Sequence, residues 1–345
     1  METGMTTGAG QDTTEKVKPD PQARSRADWI KAAAVGAGMA LVGCIMAIAF
    51  LWPLTNATPK NVELGLAGPE QAVAAMETNL DTQNPDLFDI TTYDTREEAV
   101  TAVEEREIAG AIVTGGDRTE FLVASAGAAQ VSQLLTQMAD GMSVQQGSAV
   151  TVTDVVAGGR NAGAINMAII AALIPGLAGS MVGFMAVKRA VNRFATLTAA
   201  GVVSGILSGL ILGPWFGVLA GNYWAGALAI GLGTMAIGGF ITGLGALLGG
   251  KGLGIGALTI MLFANPWSGN MAPKEFLPEP WGTIGSYMPN GTLITLLRDL
   301  SYFPSAPTAG LWWTLIAWVA FGLVCLGAGS WVQEKKAAED AGADQ

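Results

Sequence analysis

Apolar and polar positions alternate in long blocks along this chain, and the blocks predict its elements. Residues 1–28 are polar, rich in Gly, Thr and charge, and lack an apolar period, which predicts a disordered tail. Its basic end, Arg24, Arg26 and Lys31 around Trp29, introduces an uncharged run that closes at Trp52. Crossing ~30 Å of hydrocarbon takes roughly 20 apolar residues, so 29–52 reads as a first membrane helix. A secretory signal with a cleavage site at Ala47-Ile-Ala49 is the competing reading; the run is long for a signal core and ends on an interfacial aromatic, which favours a retained anchor.

The period changes after residue 53. Residues 62–66, 87–93, 108–113, 120–124 and 150–156 read as short strands, and 69–80, 96–105 and 130–142 as helices. Pro69 stands at a helix start, and Thr95 with Glu98 forms a capping box for the next helix. Strands alternating with helices predict a sheet covered by helices, an α/β domain within 53–162.

Residues 163–187 then run without any charge and end in Lys188, Arg189 and Arg193. This is a second spanning helix followed by a basic loop, which the positive-inside rule places in the cytoplasm. Pro175 in mid-span predicts a kink whose freed carbonyl is satisfied by neighbouring helices. The following span carries Gly201, Gly205, Gly209, Gly213 and Gly217 at every fourth position, a small-residue stripe suited to close helix packing within the subunit or across a dimer. Residues 223–248 form another span. A short fifth one lasts only to about 264, Pro, Trp and Gly break up 265–302, and 311–332 is the last span. The expectation is a polytopic α-helical protein of about six transmembrane helices. It has a five-helix membrane block at 163–333, an extracytoplasmic α/β domain between helices 1 and 2, a cytoplasmic tail at 334–345 and both termini cytoplasmic.

Composition agrees with this division. Half of the 345 residues are apolar and 13% are charged, against about 25% in an ordinary soluble domain. The net charge of -10 is local: residues 53–162 carry 16 acidic and 5 basic side chains. The absence of His excludes His-based triads and the usual zinc sites. Cys44 and Cys325 fall inside predicted spans, as small packing residues. The run from Gly245 to Lys251 resembles the start of a phosphate-binding loop, but Gly252 stands where Ser or Thr is needed and a spanning helix precedes it. No catalytic, cofactor or metal site is expected in the chain. The sequons at Asn56 and Asn290 matter only in a glycosylating host.

Two stretches carry a family likeness. Asp94-Thr-Arg-Glu-Glu-Ala99 followed by Glu107-Ile-Ala-Gly-Ala-Ile-Val113 is one; Leu277-Pro-Glu-Pro-Trp281 with Met288-Pro-Asn-Gly291 and Arg298 is the other. With the layout of spans they resemble an ABC-2-type transporter permease of the YhgE/Pip branch, although residues 66–69 read Leu-Ala-Gly-Pro where that branch has Val-Asn-x-Asp. The resemblance implies a half-transporter exporting a lipid-like or amphipathic molecule or an envelope component. A separate cytoplasmic ABC ATPase would contact Lys188, Arg189 and Arg193, and a second permease subunit would complete a homodimer or heterodimer in the lipid bilayer, with no nucleic acid involved. The rival reading is a membrane-anchored envelope binding, scaffold or phage-receptor-like protein that transports nothing and works through its exterior domain.

Overall fold

The computed structural model describes residues 21–55, 58–115, 118–146, 150–159, 162–270 and 272–343. The expected tail over 1–20 and the Asn56 sequon lie outside the described residues. The chain divides into two compact units, Met1–Ala47 and Ile48–Gln345. The first is described through helix α1 (Pro21–Thr55), which begins inside the segment read as tail and contains the apolar stretch Trp29–Trp52.

Within the second unit, strands and helices alternate as the pattern predicts: β1 (Val62–Ala67), α2 (Glu70–Gln83), β2 (Phe88–Tyr93), α3 (Arg96–Glu104), β3 (Gly110–Val113), β4 (Thr119–Val123), α4 (Ala129–Gln146) and β5 (Val150–Asp154). The sheet order is β2-β1-β3-β4-β5, parallel except between β3 and β4. Leu66 pairs with Ile112 and Ile112 with Phe121, so alternate positions of three strands present one apolar face to α2 and α4. Ala67, Ala111 and Leu122 face the other way, onto α3. Thr95 caps α3 by accepting from the Glu98 N–H at 3.2 Å, while the Glu98 carboxylate accepts from the Asp94 N–H, one residue before the position a capping box would use.

The rest of the unit is a helical membrane block. A 3-10 segment (Ala162–Ile169) leads into α5 (Ile170–Ala186), followed by α6 (Ala190–Leu210) with a π-helical turn (Ile211–Trp215), and α7 (Tyr223–Leu248). Then come α8 (Gly250–Thr259) with a second π-helical turn (Ile260–Ala264), the short α9 (Trp281–Tyr287), α10 (Pro289–Tyr302) and α11 (Ala309–Ala343). Five helices among the described residues are long and apolar enough to cross a membrane: those containing Trp29–Trp52, Gly163–Ala186, Ala190–Trp215, Tyr223–Leu248 and Ala309–Gln333. The sixth expected span is the short apolar helix Gly250–Ala264. The protein is thus a polytopic helical membrane protein. α11 also continues as helix through most of the segment read as a tail.

α7 is the axis of the block. Of its most apolar stretch 72% is buried, against 22–39% for the spans in α5, α6 and α11. Small residues allow this. A Cβ on Gly201 would lie 2.8 Å from the Gly231 carbonyl oxygen, and one on Gly322 of α11 would lie 2.5 Å from the Gly239 carbonyl carbon, so these backbones touch where a side chain would hold them apart. Pro175 lacks the N–H that would bond the Ala171 carbonyl. Ser204 of α6 donates to that carbonyl at 2.6 Å and accepts from Thr234 of α7 at 3.1 Å. Two neighbouring helices thereby repair the break inside the membrane.

Candidate functional site

The α/β domain and the membrane block are welded together. Ala272, Phe276 and Leu277, from the segment between α8 and α9, complete the core under α2 and α4; Phe303, just past α10, completes the core under α3. The Lys60 N–H donates to the Glu275 carbonyl at 3.0 Å. Between these two contacts lies a cavity of about 630 Å3, bounded by the turn after α3, the β4–α4 turn, the 3-10 segment, α10 and the start of α11.

One wall of the cavity is set by a strained residue. α3 ends in a double hydrogen-bonded cap, Glu107 N–H to Ala102 O at 2.9 Å and Arg106 N–H to Val103 O at 3.2 Å. This cap puts its left-handed residue at Arg106, with φ 60°, where glycine is the usual occupant. A side chain there costs about 1 kcal/mol. The strained turn aims the guanidinium at Asp299 of α10, with which it pairs, and over the Phe303 ring at 5.1 Å from its centroid. The next residue back, Arg298, also lines the cavity and donates to Asn166 Oδ1 of the 3-10 segment at 2.8 Å.

Residues 298 and 299 carry the only two charges between Trp281 and Gln333. α10 is 14 residues long and lies outside the five spanning helices. Burial pushes the Asp299 carboxyl up, against the opposing pull of Arg106. Burial, together with the nearby Arg106 charge, brings the Arg298 guanidinium down to about 10. Each group is therefore held where burial makes its charge costly. Sequence reading reached Arg298 through the resemblance. It missed Asp299 and Arg106; the signal for Asp299 was an isolated Arg-Asp pair in an otherwise uncharged stretch, whereas Arg106, set among Glu104, Glu105 and Glu107, reads as part of a solvated charged run.

The basic loop after α5 separates its three cations. Lys188 and Arg189 are exposed. Arg193 is 8% exposed: its Nε donates to the Val187 carbonyl at 2.8 Å, its Nη2 to the Phe184 carbonyl at 3.3 Å, and its guanidinium stacks 3.7 Å from the Phe184 ring centroid. Arg193 thus belongs to the first turn of α6 and ties down the end of α5, a use of cations that the helix dipole favours. The glycine stripe is divided as well. Gly201, Gly205 and Gly209 meet α7 within the subunit, Gly213 lies in the π-helical turn, and Gly217 follows it with φ 62°. Asn290 is fully buried, which closes the second sequon to a glycosyltransferase.

Among the described residues no cluster of three or more Cys, Asp or Glu could hold a metal ion. No protein-family model, curated protein or solved structure matches this chain.

Proposed function

We propose that this chain is the permease subunit of an ABC-2-type transporter of the YhgE/Pip kind, exporting an amphipathic molecule and driven by a separate cytoplasmic ATPase. The observation that carries this reading is the cavity at the head of the membrane helices, walled jointly by the α/β domain and by α10 and α11, with charged and apolar groups side by side. Helices without internal charge suit an amphipathic cargo and argue against ion-coupled transport. In this reading the α/β domain lies outside the cell, both termini are cytoplasmic, and Lys188 and Arg189 contact the ATPase. Arg193 holds the two helix ends together so that work delivered to the loop reaches α5 and α6.

A second reading has its own support. α7 is enclosed by α5, α6, α8, α10 and α11, so a path must run between subunits or not exist. A protein that binds a ligand beneath its α/β domain and moves nothing fits that packing.

Purification from native membranes in a mild detergent decides between the two. The transporter reading expects a stoichiometric ABC ATPase and a second permease copy or partner, and expects the Lys188→Gln/Arg189→Gln variant to lose the ATPase. Recovery of monomer alone, with no ATPase, overturns it in favour of a binding protein. Insertion is checked first in a variant without Cys44 and Cys325: Thr78→Cys should be labelled from outside and Asn192→Cys only after permeabilisation. Outside labelling of Asn192→Cys overturns the orientation.

A further inference from the structure

The cavity charges pair off unequally. Lys274 lies 3.6 Å from Glu63 and 3.7 Å from Glu275, and Arg106 pairs with Asp299. Glu105 remains on the wall near the end of α3. Arg298 is different: among the described residues no carboxylate lies within ion-pairing distance of it, Asp299 and Glu275 act on it only from farther away, and its hydrogen-bond partner is the neutral amide of Asn166. A guanidinium presents five N–H donors in a planar fork that matches a phosphate or carboxylate, and one amide oxygen satisfies a single one of them. The lining also includes apolar side chains: the half-buried Leu311, and Ile165 and Phe303, each 2% exposed. The volume is that of an ordinary small-molecule site.

We propose that this cavity binds an amphipathic anion, with its phosphate or carboxylate headgroup on the guanidinium of Arg298 and its hydrocarbon against Ile165, Phe303 and Leu311. The Arg106–Asp299 pair is a positioning element. It neutralises Asp299, which would otherwise compete with the ligand for Arg298, and it holds the α/β domain over the site. This deepens the permease reading by naming a cargo class and rests on that reading for the ligand's export, while the binding step needs no ATPase.

The test uses the full-length protein in a neutral maltoside micelle, titrated calorimetrically with dodecyl phosphate, inorganic phosphate and dodecyltrimethylammonium. Dodecyl phosphate is expected to bind saturably. Arg298→Gln should weaken it about tenfold or more, the loss expected for one charge-assisted hydrogen bond, and Arg298→Lys should restore part of the affinity. Gly310→Phe, at a position where an added Cβ meets nothing within 4 Å, should obstruct the site without disturbing the fold. This variant decides the matter if Arg298→Gln fails to fold.

Three results overturn the proposal. Inorganic phosphate binding with the same dependence on Arg298 makes the site one for a free anion. Tighter binding of dodecyltrimethylammonium makes the carboxylates of Glu63, Glu105 and Glu275 the dominant charge. Unchanged dodecyl phosphate affinity in both Arg298→Gln and Gly310→Phe moves the ligand elsewhere. Loss of binding with the ATPase still co-purifying refutes this inference alone, and binding without any ATPase refutes the permease reading alone.

Discussion

The α/β domain and the membrane block bury different things. In the domain the core under α2 and α4 is built from large, fully buried side chains, Leu64, Leu66, Ile112, Phe121 and Leu135, while Ala67, Ala99 and Ala111 fill the thinner core under α3. Along α7, at the centre of the membrane block, most buried positions are Gly or Ala, among them Gly226, Ala229, Gly231, Gly238 and Gly243. Water rewards the removal of apolar area, so a soluble core gathers its bulkiest side chains. Hydrocarbon gives no such reward, because a lipid tail is as apolar as Leu. Helices there are selected by how closely their backbones meet and by the polar groups they exchange. The relay from Thr234 through Ser204 to the Ala171 carbonyl is that second kind of bonding. Where the two regions meet, both principles operate: Phe276 and Phe303 enter the domain's cores, and Arg106 reaches into the block.

The largest test of this contrast is Phe121→Ala, which should cost the domain about 3–5 kcal/mol, as removal of a buried aromatic does. Every tryptophan lies outside residues 53–162, so intrinsic fluorescence reports on the helical segments and proteolysis within 60–157 reports on the domain. Rapid cleavage with unchanged emission is expected; equal loss of both signals would mean that the two regions unfold as one. Next comes a contrast within the glycine stripe. Gly205→Leu pushes a side chain into the Ala227 carbonyl and should destabilise by about 3 kcal/mol, at the upper end of overpacking. Gly213→Ala, whose Cβ would have only a carbonyl oxygen at 3.8 Å, should change melting little. Similar melting shifts for the two would contradict packing of the stripe on α7 within the subunit.

Asp299→Asn acts on the junction itself. A fully buried pair costs about 3–5 kcal/mol to break; the Arg106 side chain is 27% exposed, and solvent should reduce this to about 1–2 kcal/mol. Hydrogen exchange should quicken together in β3 and α10, and quickening in only one of them would show that the pair does not couple the regions. The smallest effect is electrostatic. Glu120 accepts two hydrogen bonds from Arg96, at 2.7 and 2.8 Å, and one from Thr153 at 2.6 Å. The bond from Arg96, then that from Thr153, holds its carboxyl below the ordinary value. A carboxyl lowered in the folded state stabilises above its unfolded pKa, and this stability is lost as pH falls through the folded one. The advantage of wild type over Glu120→Gln should therefore be present above about pH 5, disappear in more acid solution and shrink with added salt. An advantage independent of pH would assign the effect to packing.

Much of the architecture was legible beforehand, and unevenly so. The strand and helix pattern of the domain followed from alternation and from turn and cap residues such as Pro69 and Thr95, because these are local preferences of the backbone. The long apolar runs followed from bilayer thickness. The shared role given to Lys188, Arg189 and Arg193 did not survive as one group, since charge is visible in a sequence whereas burial is not. Arg193 has the composition of a loop contact and the position of a helix clamp.

The sequence by itself determined which segments are apolar enough to enter a membrane, the order of short strands and helices between residues 62 and 154, and that the Ala171 carbonyl opposite Pro175 needs a foreign donor. Only the tertiary structure decided that the donor is Ser204, that the first three glycines of the stripe are spent on α7, and that Arg106 meets a carboxylate 193 residues away. The physical reason is range. Hydrophobic period, capping and backbone preference act over one or two turns of chain, whereas an ion pair or a close helix crossing depends on which distant segments the whole fold brings within a few ångströms.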